Sequence, residues 1–209
     1  MYAKSKTHKN LALFDFDGTL CKKDSFTGFI FYALKKRHIV KQGIKILPWI
    51  QAYYLNIYPA PSMRKKLFKA MFKDAKASEL QDIAEEYAYQ LMSQLDVKIY
   101  QQLLDHQAQG DDVVLVSASV DIYLEIICYL LKIDLICTGT EILNGQFTGT
   151  YSTPDCSSEQ KKIRVLEKYN LERYQNIYAY GNSEEDLELL SLAAFKYMVR
   201  KDKVLPNLE

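Results

Sequence analysis

Phe14-Asp15-Phe16-Asp17-Gly18-Thr19-Leu20 closes an apolar run that begins at Leu11, so a short buried strand ends in two carboxylates two residues apart. Further short apolar runs follow at 113–119 (VVLVSAS), 134–142 (DLICTGTEI), 176–182 (NIYAYGN) and 194–200 (AFKYMVR). Helical patterns over 120–131, 159–169 and 184–192 separate the later runs, and strand-helix alternation predicts a parallel sheet with helices on both faces. The unbroken apolar character of Val113 to Val116 suits a strand buried on both sides. Asn144-Gly145 between apolar stretches predicts a hairpin over 142–152.

Between the first two strands the chain changes character. Residues 24–108 contain no convincing strand and read as four or five helices, one of them opened by a capping box at Ser78-Glu79-Leu80-Gln81. The expected organisation is an α/β core of residues 1–22 and 109–209, with residues 23–108 inserted as a helical cap. The chain has 209 residues and 48% hydrophobic content, enough for such a core. Lys plus Arg (27) nearly balances Asp plus Glu (26), so no overall field directs it to nucleic acid. The four cysteines form no CxxC pair and the three histidines lie far apart, which gives no zinc site and predicts free thiols. The basic stretch MYAKSKTHKN (1–10) runs into Asp15 without a long apolar segment, so it does not read as a secretory signal, and a cytoplasmic protein is expected.

Ligand sites in parallel sheets lie beyond the carboxyl ends of the strands. There Asp15 can attack phosphorus, while Asp17 can protonate the leaving oxygen and later activate water. Gly18 permits a sharp turn, and with Thr19 it is placed at the phosphate. At the end of the second strand, Ser117 and the backbone at Ala118 are candidates for a phosphoryl oxygen. Ser119 is read instead as the N-cap of the helix that begins at Val120. Lys161, in Cys156-Ser157-Ser158-Glu159-Gln160-Lys161, is the candidate cation for the transferring group, although a lysine there, like Lys162, is ordinarily a surface residue. Asn182 and Asp186 offer oxygen ligands that suit magnesium. Ser183 to Asp186 equally fits a capping box with a carboxylate in the first helical turn.

Taken together and in this order, the four elements resemble the haloacid dehalogenase superfamily, specifically its phosphoserine-phosphatase-like branch with a helical cap of the C1 type. The resemblance implies a Rossmann-like fold, Asp15 as nucleophile, Asp17 as acid/base and magnesium ligand through its backbone carbonyl, Ser117 and Lys161 at the phosphate, and magnesium as cofactor on Asp15, Asp17, Asn182 and Asp186. Two departures stand out. Ser158 replaces the glycine of the branch's CxGExK pattern. Asn182 replaces the aspartate of GDSxxD, removing one negative charge from the metal site and predicting weaker metal binding.

Within the branch, FDFDGTLCKKDSF, the apolar cap and the NSxxD ending are similar to bacterial phosphatidylglycerophosphatases of the soluble-fold type. The implied substrate is then a lipid head-group phosphate, with peripheral membrane contact through KQGIKILPWIQAYYLNIY (41–58). The alternatives are a small soluble phosphomonoester, with 41–58 packed as cap core, and a phosphate-binding module without turnover. Arg64 lies where phosphoserine-specific members hold the substrate carboxylate, and it is a candidate contact to a phosphate-rich head group or a helix surface charge. Lys22 and Lys23 before Asp24 depart from the acidic residues those members carry.

Overall fold

The computed structural model describes residues 9–208, so the reading of the basic N-terminal stretch lies, for residues 1–8, outside the described residues. Strand β1 (Leu11–Phe14) leads into five helices: α1 (Ser25–Ala33), α2 (Lys36–Tyr54), α3 (Ala60–Phe72), α4 (Ala77–Met92) and α5 (Val97–Gln109). Then come β2 (Asp112–Val120), α6 (Asp121–Leu131), β3 (Asp134–Thr138), β4 (Thr140–Leu143), β5 (Gln146–Tyr151), α7 (Glu159–Lys168), β6 (Ile177–Gly181), α8 (Leu187–Ser191) and β7 (Phe195–Met198). Five strands form one sheet in the order β3-β2-β1-β6-β7, every pairing parallel, while β4 and β5 form a separate antiparallel hairpin.

Alternate residues of the central strands feed two cores. Phe14, Leu115, Tyr178 and Tyr180 bury one face, and Leu13, Val114, Val116 and Ala179 the other. Burial on both faces is why these strands read as continuous apolar runs rather than as alternating ones. In the hairpin, Asn144 (φ 52°) and Gly145 (φ 76°) form the two-residue turn, both in the left-handed region that such turns require.

The helical insertion divides by its contacts. Helix α5 lies on the sheet, where Gln102 Nε2 donates to the Tyr180 hydroxyl at 3.1 Å and His106 meets the same hydroxyl and Asp111 at 2.9 and 2.7 Å. Phe14 stacks on that tyrosine with ring centroids 4.3 Å apart, so α5 braces the strand that carries Asp15 from behind. Helix α3 meets the hairpin through Phe68, whose ring lies 6.0 Å from Phe147 and 5.3 Å from Tyr151. The α3–α4 connection also bonds to the hairpin backbone, Asp74 N–H to Phe147 C=O at 2.8 Å and Phe147 N–H to Ala75 C=O at 2.9 Å. The division into core and cap is a proposal that these contacts refine by placing α5 in the sheet layers.

Four local expectations change. The run 134–142 is two strands, because Thr140 donates from its N–H and hydroxyl to Asp121 at 2.8 and 2.7 Å and turns the chain out of the sheet at Gly139. The helix expected over 184–192 opens as a single 3-10 turn, Glu184–Asp186, before α8. The capping box at Ser78 does not form. Helix α4 already starts at Ala77, whose N–H donates to Gly145 C=O at 2.9 Å, while Lys76 bridges Gln146, so pairing with the hairpin fixes the helix start. Ser119 caps no helix: β2 runs through it to Val120, α6 begins at Asp121, and its hydroxyl turns to Asp17 instead.

Ser158 shows a cost of the sequence. At φ 49° and ψ −124° it occupies a region that glycine enters freely and an L side chain does not. The position is held by Ser158 N–H to Glu185 C=O at 3.0 Å and Lys161 N–H to Ser158 C=O at 3.1 Å. Replacing Ser158 with glycine should therefore stabilise the chain by about 1 kcal/mol, a rise in Tm of roughly 2–4 °C in a thermal scan. An unchanged or lower Tm would mean that the loop does not hold this conformation.

Candidate active site

The turn after β1 is wound by its own backbone: Leu20 N–H reaches Asp15 C=O at 3.4 Å, Cys21 N–H reaches Phe16 C=O at 2.8 Å, and Gly18 N–H reaches Cys21 C=O at 2.7 Å. Gly18 sits at φ 79°, and a Cβ there would lie 2.0 Å from Asn182 Nδ2, so the turn and the close approach of Asn182 both demand glycine. This puts the ends of β1 and β6 against each other.

Lys161 is the centre of the arrangement. Only 2% exposed, it donates through Nζ to Asp15 Oδ1 at 2.6 Å and Asp186 Oδ1 at 2.5 Å. Lys162, its neighbour, pairs with Glu188 at the surface. The two carboxylates differ in what else they accept. Asp186 Oδ2 takes the N–H groups of Asn182 and Ser183 at 2.9 and 3.0 Å and the Ser183 hydroxyl at 3.2 Å, which is the capping box the sequence also allowed. Asp15 Oδ2 takes the Thr19 hydroxyl at 2.8 Å. Burial therefore pushes the Asp15 carboxyl up to about 7 despite Lys161, with Asp186 and Asp17 adding to the rise. Asp186, although also penalised by burial, is held below the usual carboxylate range by Lys161 and the two backbone donors.

Asp17 stands beside this pair. Its Oδ1 accepts the Ser25 N–H at 2.6 Å and its Oδ2 the Ser119 hydroxyl at 2.5 Å. Burial raises its pKa, opposed by those same hydrogen bonds. Asp15, Asp17, Ala118, Ser119, Lys161, Asn182 and Asp186 all border one cavity of ≈ 560 Å³. Ser117 does not reach its wall: it is fully buried and its hydroxyl accepts the Ser119 N–H at 3.1 Å. Thr19 turns inward to Asp15, and Gly18 backs onto Asn182.

Arg64 lines the cavity from α3, but its guanidinium is engaged by Asp155 through Nε and Nη2 at 2.9 and 2.8 Å and by Glu185 through Nη1 and Nη2 at 3.1 and 3.2 Å. It is neither a loose surface charge nor an open anion contact; it ties α3 to the loop before α7 and to the turn after β6. The residues 155 and 185 carried no spacing signal that would pair them with Arg64. Ser25 and Tyr123, which surround Asp17, were equally silent in the sequence. Among the described residues, no three His, Cys, Asp or Glu side chains form a ready metal cluster. Oxygen donors for a hard cation at this site are the carboxylates of Asp15 and Asp186, the Asn182 amide and the Asp17 backbone.

A parallel sheet whose central strand ends in a buried carboxylate, ion-paired to a lysine from a later helix and bordering a cavity, defines an α/β protein with its site at the carboxyl ends of the strands. The chain belongs to the haloacid dehalogenase-like hydrolase family, whose model matches residues 12–191. It is 28% identical to a histidinol-phosphatase of Neisseria meningitidis serogroup C over 94% of this chain and 93% of the relative. It is 26% identical to the protein CicA of Caulobacter vibrioides over 88% of this chain and 82% of that one. In fold it is similar to a protein of unknown function from Bordetella pertussis Tohama I, with a TM-score of 0.73, 23% identity and coverage of 91% and 89% of the two chains. It is also similar to a substrate-bound phosphoserine phosphatase, with a TM-score of 0.62, 18% identity and coverage of 91% and 85%.

Proposed function

We propose that the chain hydrolyses phosphomonoesters through a phospho-aspartate on Asp15. As a phosphoric monoester hydrolase it needs a nucleophile, a proton donor and a counter-charge. An oxygen of Asp15 attacks phosphorus, the ester P–O bond breaks, and Asp17 gives its proton to the leaving oxygen; Asp17 then takes a proton from the water that cleaves the acyl phosphate. Lys161 offsets charge on Asp15 and on the phosphoryl oxygens near it. The observation that carries this reading is the placement of Asp15, Asp17 and Lys161 on the floor of one cavity.

Magnesium fits this donor set. Two carboxylates, Asp15 and Asp186, share one lysine with Asp17 beside them, so hard oxygen ligands outnumber the positive charge; burial is the main cause of the raised Asp15 pKa, and Asp186 and Asp17 add to it. Asp15, Asp186, Asn182 and the Asp17 carbonyl would hold the ion, which when bound shields the nucleophile from the negative charge of the phosphate.

The finer reading is a phosphate borne on an apolar body, such as a lipid head group. Above the polar floor the cavity walls are apolar, with Phe26, Ile30 and Phe31 from α1, Ile50 and Tyr53 from α2 and Met63 from α3. On the outside of α2, Val40, Ile44 and Leu47 are exposed along one stripe, with Tyr54 and Leu55 exposed at its C-terminal end. Residues 25–73 hold ten lysines and arginines and no aspartate or glutamate, a concentration that the near-neutral total conceals. An apolar stripe on a basic helix suits an anionic lipid surface. Among the described residues no helix is long and apolar enough to cross a membrane, so the contact would be peripheral.

A soluble ester is the second reading, favoured by the identity to the histidinol-phosphatase along nearly the whole chain. Phosphoserine fits less well, because the guanidinium that would take its carboxylate is already bound to two carboxylates. Phosphate release should be followed on phosphatidylglycerophosphate in mixed micelles, histidinol phosphate and phosphoserine, with magnesium and with chelator. Magnesium-dependent release, fastest from the lipid, is the expected outcome. Preference for histidinol phosphate would make the apolar wall a packed cap, and no release from any ester would sink the phosphatase reading.

A further inference from the structure

Asp17 is the end of a chain of buried hydroxyls whose direction can be worked out. Ser119, 4% exposed, places its hydroxyl 2.5 Å from Asp17 Oδ2 and 3.3 Å from the Ser25 hydroxyl. The Ser25 hydroxyl lies 2.9 Å from that of Tyr123, and both residues are fully buried. A hydroxyl has a single proton to donate. Ser119 gives its proton to Asp17, so it cannot donate to Ser25, and the Ser25 proton goes to Ser119 or directly to Asp17. Ser25's proton is then committed, so Tyr123 must be the donor to Ser25. Every proton in the chain points toward the carboxylate. Ser25 is also held from the other side: its own N–H donates to Asp17 Oδ1 at 2.6 Å, and its carbonyl accepts the Tyr87 hydroxyl of α4 at 2.8 Å. The Tyr87 contact depends on Gly28, where a Cβ would lie 2.3 Å from the Tyr87 oxygen.

Each carboxyl oxygen of Asp17 therefore has one lone pair engaged by a donor within the protein. Seating the proton on the Ser119 side would reverse the chain and leave the buried Tyr123 hydroxyl without an acceptor among its contacts, so the proton belongs on a lone pair outside the chain, on a carboxyl that borders the cavity. We propose that Tyr123, Ser25 and Ser119 form a one-way hydroxyl chain that positions Asp17, keeping its inner lone pairs as acceptors and its transferable proton on the side of the leaving oxygen. The proposal rests on Asp17 acting as the proton donor. It also gives the insertion a role in the chemistry, since Ser25 opens α1 and Tyr87 sits on α4. None of the three hydroxyls touches the reacting atoms; they act through Asp17.

Leaving groups separate positioning from general damage. 4-Nitrophenolate leaves without a proton, whereas the alkoxide of 2-phenylethyl phosphate needs one. The ratio of kcat/KM for the alkyl ester to that for the nitrophenyl ester, measured on one preparation, does not depend on how much of the protein is folded. Ser119→Ala should lower this ratio about 10-fold and Tyr123→Phe about 3-fold, part of the 10²–10⁴ that a positioned acid contributes. Ser119→Thr, which keeps the hydroxyl, should restore most of it. Equal losses on both esters in Ser119→Ala and Tyr123→Phe, with the wild type active on both, would overturn the hydroxyl chain alone. A wild type inactive on both would overturn the phosphatase reading and this inference with it.

Discussion

An Asp15→Asn chain should fold and release no phosphate, its kcat falling by about 10³-fold or more because an amide cannot form the acyl phosphate. Its stability should change in a way that reports the buried carboxyl. The folded-state pKa of Asp15 is raised from 3.8 to about 7, so between those values the folded chain holds a proton that the unfolded chain has lost. Wild-type stability from this group is thus fully present below about 4 and is lost as pH rises toward 7, by at most about 1.4 kcal/mol per pH unit in that window. Asparagine has no such titration. Relative to wild type, the variant should become steadily more stable from pH 4.5 to pH 7 and then level off, read from urea midpoints in metal-free buffer. Retained turnover would refute Asp15 as the nucleophile; a pH-independent difference in midpoint would refute the raised titration.

The sheet was legible because its strands are buried on both faces, which forces unbroken apolar runs, and because Asn144-Gly145 accepts the two positive φ angles of a tight turn. The strand ends were legible for a related reason: residues there are fixed by the strands themselves, so DxDG, the end of the second strand and Asn182 to Asp186 could be placed once the strands were, although Ser117, the serine chosen there, lies behind the cavity wall and Ser119 borders it. What escaped depends on contacts between distant segments. Arg64 meets Asp155 and Glu185, which are 91 and 121 residues away, and no local pattern records that. Ser119 has the composition and position of an N-cap, yet a carboxylate at 2.5 Å outcompetes the helix for its hydroxyl. The same holds at Ser78, where pairing with the hairpin starts the helix two residues early, with Lys76 in place of Ser78 as N-cap. Short polar side chains serve several structures equally well, and the tertiary partner decides which one they serve.

Lys161→Met should be the most destabilising single substitution at the site. It leaves Asp15 Oδ1 and Asp186 Oδ1, now bonded to one ammonium at 2.6 and 2.5 Å, facing each other without a counter-charge. Removing one partner of a buried ion pair typically costs about 3–5 kcal/mol, and a second stranded carboxylate places this site at the upper end. Lys162→Met is the control: its ion pair to Glu188 is 35% and 48% exposed and should contribute less than about 1 kcal/mol. The deficit at Lys161 should also shrink on acidification. Without Lys161 the Asp15 pKa rises above the value of about 7 that it has in the wild type, so as pH falls from the alkaline side toward 7 the variant alone takes up a proton and loses one of its two stranded charges; below about 7 both folded chains carry that proton and the deficit levels off. Asp186 keeps the backbone N–H groups of Asn182 and Ser183 as donors when Lys161 is removed. Magnesium should recover part of the lost stability at pH 7.5 by supplying the missing positive charge, a readout independent of turnover. Equal midpoints for Lys161→Met and Lys162→Met at pH 7.5 would mean that the buried lysine is not where the charge balance of the site is set. A Lys161→Met deficit that grows on acidification would place the labile proton elsewhere than on Asp15.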